Sequence, residues 1–187
     1  MSAMSKAIAL AVIQVLLVSS LGAKLLYDRH TRPQVWFRSM QYDPSLPIRG
    51  RYLAQQLEVN DPLTPDEIHK KFDLIPDFGS FGRECGSIEI RNNQPTAVFE
   101  NHADNRVFYD CDNLAFSRWS RGNAGYSLRI DEPVLFFIPD TAKDAVHMAR
   151  GDELWVLATI PKKGPPRPIA LAIKKQGETE LHPLDLH

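Results

Sequence analysis

Two cysteines are the residues of this chain best suited to covalent chemistry. Cys85 and Cys111 are its only cysteines, and 25 residues lie between them. In a domain exported from the cytoplasm, an even pair at this spacing predicts one disulfide that closes the hairpin region of residues 87–100. Two alternatives stay open, either two buried reduced thiols or a thiol nucleophile with His102 as its base. No recognisable sequence context favours the nucleophile, so we predict the disulfide.

The acidic residues that follow His102 have the side chains of a divalent-cation site. Asp104, Asp110 and Asp112 would supply oxygen ligands, and His102 would supply a nitrogen. The same stretch is equally typical of a polar turn after a short strand, which we predict at residues 107–109. We therefore expect no metal and no cofactor.

A serine is a second candidate nucleophile. Ser39-Met40 lies near a proline, and Arg49-Gly50 precedes an apolar strand. In part this resembles membrane-anchored signal peptidases, which join an anchor to a β-rich catalytic domain and use a Ser/Lys dyad. However, the residue after the glycine is the basic Arg51, and no lysine has a matching context. We predict no catalytic residue and keep a membrane-tethered, peptidase-like hydrolase as the alternative.

The first structural element along the chain is an apolar N-terminal segment. Residues 7–23 carry no charge and as a helix cover roughly 26 Å, a little less than the ~30 Å hydrocarbon core. Residues 25–27 complete the span if Lys24 extends its ammonium to the interface. We predict a transmembrane anchor at residues 6–27. A cleaved signal peptide, with Ser20 and Gly22 at the cleavage site, is the alternative.

The remaining chain is long enough for one domain with its own core. We assign residues 1–5 to an N-terminal tail, 28–42 to a juxtamembrane segment with the first strand, and 43–187 to a β-rich domain. The whole chain has 22 basic and 23 acidic residues, and four of the basic residues precede residue 33. The domain is therefore mildly acidic, without a basic stripe, which gives no electrostatic basis for nucleic-acid binding.

Most of the domain shows the period-2 pattern of β-strands. The clearest strand is residues 153–160, where both faces are apolar, as in a central covered strand. In the segment 52–59, Gln55 interrupts an otherwise apolar face. Asn92-Asn93 and Glu132-Pro133 predict hairpin turns. The other predicted strands are residues 35–40, 87–91, 96–100, 107–109, 127–130, 134–138 and 169–174.

Helix signals are few. Thr64 as N-cap, Pro65 at the first helical position and Glu67 as the capping-box acid predict a short helix that ends before Pro76. A second short helix is predicted at Ala142–Ala149. The fold class that follows is mainly β, a β-rich barrel or bent sandwich with two short helices, preceded by one transmembrane helix.

Two segments could contact a partner. The proline-rich connection 161–168 carries Lys162, Lys163 and Arg167, which could contact lipid headgroups or a protein, although a stiff hairpin connection explains it as well. Trp119 lies in the aromatic and cationic segment 116–121, which we predict to be a loop. It either packs as a satellite cluster or forms a binding surface.

Two stretches, Asp43–Val59 and Pro133–Lys174, resemble a bacterial family named for its GDYXXLXY motif. Gly50 and Tyr52 match that motif, whereas Arg51, Gln55 and Leu57 replace its Asp, Leu and second Tyr. The resemblance implies a membrane-anchored protein with its domain outside the cytoplasm, an accessory role beside multi-pass membrane proteins, and no known activity. We expect both matching residues to be structural, Gly50 through a positive φ or a close backbone approach and Tyr52 through packing on the sheet.

The sequence therefore predicts a membrane-anchored accessory or interaction module of the bacterial envelope. We expect it to cross the inner membrane once, with its domain on the periplasmic side. The expected partners are the membrane and another envelope or multi-pass membrane protein, without nucleic acid. The hydrolase and a barrel that binds a lipid or another small ligand remain the alternative functions.

Overall fold

A 29-residue helix, α1 (Ala3–Thr31), dominates the first of two units, Met1–Pro33 and Gln34–His187, into which the chain divides. The computed structural model describes residues 3–43, 52–71, 80–100, 111–120, 125–138, 148–149 and 151–184. In α1, the span Met4–Thr31 contains an 18-residue window with a mean hydropathy of 2.0 and is long and apolar enough to cross a membrane. The helix is therefore a candidate membrane anchor.

The helix continues past the predicted end of the anchor at residue 27. The backbone N–H of Arg32 donates to the carbonyl oxygen of Asp28 at 3.0 Å, and the two side chains form an ion pair at 3.4 Å. An oppositely charged pair four residues apart supports the last turn of a helix. Residues 28–31 are therefore helical.

The second unit is built on one large, mainly antiparallel sheet, which confirms the mainly β fold class. Hydrogen-bonded neighbours follow the order β10-β9-β8-β1-β2-β6-β5-β3-β4, and β7 pairs separately with β2. The described strands are β1 (Gln34–Asp43), β2 (Tyr52–Val59), β3 (Ser80–Arg91), β4 (Gln94–Phe99), β5 (Leu114–Ser120), β6 (Tyr126–Ile130), β7 (Val134–Phe137), β8 (Glu153–Thr159), β9 (Arg167–Lys174) and β10 (His182–Pro183).

Five of these strands form a closed ring. The order β2-β6-β5-β3-β4 returns to β2 because Asn60, the residue after β2, forms a parallel bridge with Thr96 of β4. The N–H of Asn60 donates to the Pro95 carbonyl at 2.8 Å, and the N–H of Ala97 donates to the Asn60 carbonyl at 3.0 Å. A small barrel of this kind is filled by side chains, and here Phe116, Ile130 and other apolar residues fill it.

Strands β1 and β2 separate at one end of the sheet. Their described pairs run from Asp43–Ala54 to Ser39–Leu57 and go no further towards the start of β1. From Gln34 to Arg38, β1 continues in register with β8. Beyond Leu57, β2 instead pairs with β6, and Asn60 bonds to β4. The sheet is therefore split at this end.

The predicted capping box is present at the start of helix α2 (Pro65–Lys71). The Thr64 backbone N–H and hydroxyl each donate to the Glu67 carboxylate at 2.8 Å, and the Glu67 N–H donates back to the Thr64 hydroxyl at 3.4 Å. These bonds satisfy groups that a helix start leaves without intrahelical partners. The second predicted helix, Ala142–Ala149, lies mostly outside the described residues, as does the predicted strand at 107–109.

The predicted Asn92-Asn93 turn is confirmed. It joins β3 to β4, and the two residues have φ values of 53° and 61°. Asparagine tolerates this left-handed conformation, which a two-residue hairpin turn requires. The pairing of β3 with β4 also requires a glycine at position 86, because a Cβ atom there would lie 2.3 Å from the carbonyl oxygen of Val98 on β4.

Three sequence predictions are corrected by the strands. The segment 116–121 was predicted as a loop around Trp119, but its described residues 116–120 belong to strand β5. The Glu132-Pro133 turn does not close a hairpin, because β6 and β7 each pair with β2 and not with each other. Strand β1, which we placed ahead of the domain, pairs with β2 and β8 and belongs to the same unit as residues 43–187.

Candidate functional site

The divergence of β1 and β2 produces a surface groove of about 660 Å³. Its volume lies in the range of roughly 300–1,000 Å³ that small-ligand sites occupy. One wall comes from β1 and β8, the other from the end of β2 and from β6, and the β3–β4 turn contributes the remainder. The lining residues are Gln34, Val35, Trp36, Arg38, Glu58, Val59, Asn60, Asp61, Asn93, Gln94, Pro95, Tyr126, Ser127, Leu128, Trp155 and Leu157.

Three aromatic side chains line the groove. Trp36 on β1, Tyr126 on β6 and Trp155 on β8 are all partly exposed. The indole N–H of Trp155 donates to the Glu153 carboxylate at 3.2 Å, which orients the ring. The ammonium of Lys174 lies 5.9 Å from the centre of the same ring, within the range of a cation–π contact. The Trp155 ring is therefore positioned by two contacts, one with Glu153 on its own strand and one with Lys174 on the neighbouring strand β9.

A row of paired charges runs across neighbouring strands and includes two lining residues of the groove, Arg38 and Glu58. Arg38 lies 2.8 Å from Glu153 on β8 and 3.9 Å from Glu58 on β2. Glu58 in turn lies 3.6 Å from Arg129 on β6, and the Arg129 guanidinium lies 5.0 Å from the centre of the Trp119 ring. Cross-strand partners share a face of a sheet, so these side chains alternate in charge over neighbouring strands.

One acid that lines the groove, Asp61, belongs to a buried ion cluster. Arg118 on β5 is fully buried, with its guanidinium 2.6 and 3.1 Å from the two oxygens of Asp61 and 2.5 Å from Glu84. It also lies 5.1 Å from the centre of the Phe99 ring. A guanidinium matches a carboxylate in two parallel hydrogen bonds, so Arg118 fixes the position of Asp61.

Side-chain amides line the rim near the β3–β4 turn. The Asn60 amide donates to the Gln94 side-chain oxygen at 2.8 Å, while the Asn60 backbone forms the bridge that closes the ring. Gln34 and Asn93 contribute two further exposed amides. An amide side chain both donates and accepts hydrogen bonds, and so does a hydroxyl group of a ligand. The rim is therefore suited to neutral polar ligands.

The two cysteines form the predicted disulfide. Cys85 on β3 and Cys111 are bonded, with their Cα atoms 5.5 Å apart. Neither sulfur is a free thiol, so the alternative of a cysteine nucleophile is wrong. The disulfide links β3 to the residue three positions before β5 and stabilises the pairing of those two strands.

Ser39, the other candidate nucleophile, is buried. Its hydroxyl lies 3.0 Å from the side-chain oxygen of Gln55 and 3.2 Å from the carbonyl oxygen of Leu154. Neither group is a base that could take the hydroxyl proton. Gln55, which interrupts the apolar pattern of β2, is fully buried and accepts this hydrogen bond. These contacts are those of a structural serine.

The remaining predicted site residues either do not line the groove or lie outside the residues that the structure describes. Lys162 and Lys163 are exposed in the β8–β9 connection, where the Gly164 N–H donates to the Asn113 side chain at 2.9 Å, and Arg167 begins β9. Tyr52 begins β2 opposite Phe137, and of Tyr52 only the backbone is described. Gly50, His102, Asp104 and Asp110 lie outside the described residues, within which no group of three potential metal ligands occurs.

Sequence reasoning did not identify the groove. The pattern of residues 153–160 predicted a strand covered on both faces, but Trp155 and Leu157 line an open surface. The only local signal was a charged residue two positions from an aromatic one on each strand of one wall, Trp36 and Arg38 on β1 and Glu153 and Trp155 on β8. Comparison with protein-family models, curated proteins and solved structures finds no match for this chain.

Proposed function

We propose that this protein is a membrane-anchored accessory or interaction module of the bacterial envelope and that the groove between β1 and β2 is its binding surface. The observation that carries the proposal is the groove itself. It combines partly exposed Trp36, Tyr126 and Trp155 with charges that are paired inside the protein. Aromatic residues of this kind are enriched at binding surfaces, where they supply contact area at low conformational cost.

The same observations make the groove a better candidate than the alternatives. A barrel that binds a lipid or another small ligand needs a roomy apolar cavity, and the ring of β2, β6, β5, β3 and β4 is packed with apolar side chains and Arg118. A serine hydrolase needs an accessible hydroxyl beside a base. Ser39 is buried, and its hydroxyl contacts an amide and a backbone carbonyl.

The proposed location is the inner membrane, with the domain on the periplasmic side. Helix α1 supports the anchor, and the Cys85–Cys111 disulfide supports an oxidising compartment, because cytosolic reductants keep thiols reduced. The match of Gly50 and Tyr52 to the GDYXXLXY motif is the basis for the bacterial envelope. A reporter fused after His187 should be active only outside the cytoplasm, and the full-length chain should resist carbonate extraction. Cytoplasmic reporter activity, or release of a shorter soluble form, would overturn this location.

Binding through the groove can be tested by quantitative co-purification. The full-length protein would be extracted from its own membranes in a detergent without a sugar headgroup, as wild type, Trp36→Ala and Arg91→Ala. Arg91 is an exposed residue of β3 outside the groove and is the matched control. We expect Trp36→Ala to lose at least tenfold of one co-purified envelope component, which Arg91→Ala retains. Equal recovery by all three proteins, at equal melting temperatures, would contradict the proposal.

A further inference from the structure

We propose that the ligand of the groove is a neutral oligosaccharide chain. This inference rests on the proposed function and specifies the chemical class of the ligand. Three features of the groove carry it: the arrangement of its aromatic rings, the pairing of its charges and the amides on its rim.

The aromatic rings suit the faces of sugar units. A pyranose ring presents C–H groups on its faces and hydroxyl groups around its edge. Trp36 and Trp155 lie on the neighbouring strands β1 and β8, and Tyr126 lies on the opposite wall. The polarised C–H groups of a sugar are attracted to the negative face of an indole or phenol ring. The groove therefore offers stacking surfaces on both walls.

The charges of the groove favour a neutral ligand. Arg38 is engaged by Glu153 at 2.8 Å, and Asp61 is engaged by Arg118 at 2.6 Å. Glu58 lies between Arg38 and Arg129, at 3.9 and 3.6 Å. A phosphate or carboxylate ligand would have to displace Glu153 from the partly exposed Arg38, or separate the nearly buried pairs of Asp61 with Arg118 and Glu58 with Arg129. Separating the nearly buried pairs is costly. A hydroxyl group binds at the edges of the paired groups without separating them.

The rim supplies hydrogen bonds that match vicinal hydroxyl groups. Gln34, Asn60, Asn93 and Gln94 carry side-chain amides that donate and accept at adjacent atoms. Two neighbouring hydroxyl groups on a sugar present the same alternation. The groove is also partly open to solvent, so the ends of a longer chain can extend beyond it.

The test uses the full-length protein in a detergent without a sugar headgroup and the probes cellohexaose and chitohexaose. Two of the three tryptophans, Trp36 and Trp155, line the groove, so intrinsic fluorescence reports binding there. We expect saturable fluorescence and calorimetric titrations with at least one hexasaccharide. Trp36→Ala should weaken its affinity at least tenfold, about 1.4 kcal/mol, whereas Trp119→Phe, which alters the tryptophan outside the groove, should leave it unchanged.

Two further arms keep the proposal open to refutation. Gln94→Ala changes an exposed residue on the rim and should weaken sugar binding at least threefold. If Trp36→Ala fails to fold, the Gln94→Ala variant alone tests whether the sugar binds in the groove. A neutral hexapeptide of glycine and serine tests the other occupant. Saturable binding of the peptide but of neither sugar, no titration with any probe, or sugar binding that neither variant weakens would each overturn the inference.

The outcome separates this inference from the proposed function. If no sugar binds but Trp36→Ala still loses its co-purified component, the groove is an interaction surface for another class of ligand. If both experiments are negative, the groove has no binding role and both proposals fail.

Discussion

At the scale of single residues, the most consequential side chain is Arg118. It is fully buried, yet it carries a charge that Asp61 and Glu84 neutralise. Burying an ion is costly unless its partners satisfy it, and removing one partner leaves the others uncompensated. Because Asp61 lines the groove, this cluster also connects the stability of the barrel to the geometry of the site.

Replacing Arg118 should therefore unfold the domain easily. Arg118→Met keeps much of the volume but leaves two acids without their cation, and we expect a loss of about 3–5 kcal/mol of unfolding free energy. The matched control is Arg91→Met, which breaks the exposed Arg91–Glu89 pair and should cost less than about 0.5 kcal/mol. Denaturation followed by tryptophan fluorescence measures both. Equal midpoints for the two variants would show that the buried cluster contributes little.

Glu67 provides a pH test of the capping box. The hydrogen bonds from the Thr64 backbone N–H and then its hydroxyl hold the pKa of Glu67 below its ordinary value. A carboxyl group whose pKa is lower in the folded protein stabilises the fold at pH values above its unfolded pKa of about 4.3. This stabilisation is lost as the pH falls through the lower pKa of the folded state.

The stability difference between the wild type and Glu67→Gln should therefore be constant near neutral pH and shrink in acid. Thermal melts from about pH 7 down to about pH 3 measure this difference. Asp66→Asn, which removes a charge from the same turn outside the capping box, controls for general electrostatic effects. A difference for Glu67→Gln that stays constant down to the lowest pH would contradict the assignment.

At the scale of elements, local pattern predicted most strands, because period-2 apolar residues require only a half-buried sheet. Strand β5 was missed because its residues Ser117, Arg118 and Trp119 look polar and cationic. The pairing that makes them acceptable in a strand comes from Asp61 and Glu84, which are distant in sequence. The groove was missed for a similar reason. It depends on the point at which β1 leaves β2, and pairing register of this kind is not a local property.

The disulfide is another feature at this scale that sequence reasoning predicted, and it should stabilise the pairing of β3 with β5. A loop of about 25 residues closed by a disulfide is worth roughly 3 kcal/mol in the chain-entropy account. The double variant Cys85→Ser with Cys111→Ser should lose that amount in denaturation experiments, and a reducing agent should have the same effect on the wild type only. Free thiols in the native, non-reduced protein would contradict the bond.

At the scale of the whole molecule, the chain consists of a candidate membrane anchor and a β-rich unit that carries a groove. The fold class and the apolar helix followed from sequence, since both depend on composition and periodicity. The working surface required tertiary structure, because its walls come from strands far apart in the chain. In the function we propose, α1 anchors the protein in the membrane and the groove binds the partner.

The most direct measurement of this account is site-specific photo-crosslinking in living cells. The photoreactive residue benzoylphenylalanine would replace Trp36 in the groove or, as the control, Arg91 on β3, in the full-length chain expressed in its own host cells. Because this group reacts with nearby C–H bonds, it labels proteins and glycans alike. We predict a discrete adduct of higher mass at position 36, in the membrane fraction, and none at position 91. No adduct at position 36, or the same adducts at both positions, would contradict the claim that the groove is the binding surface.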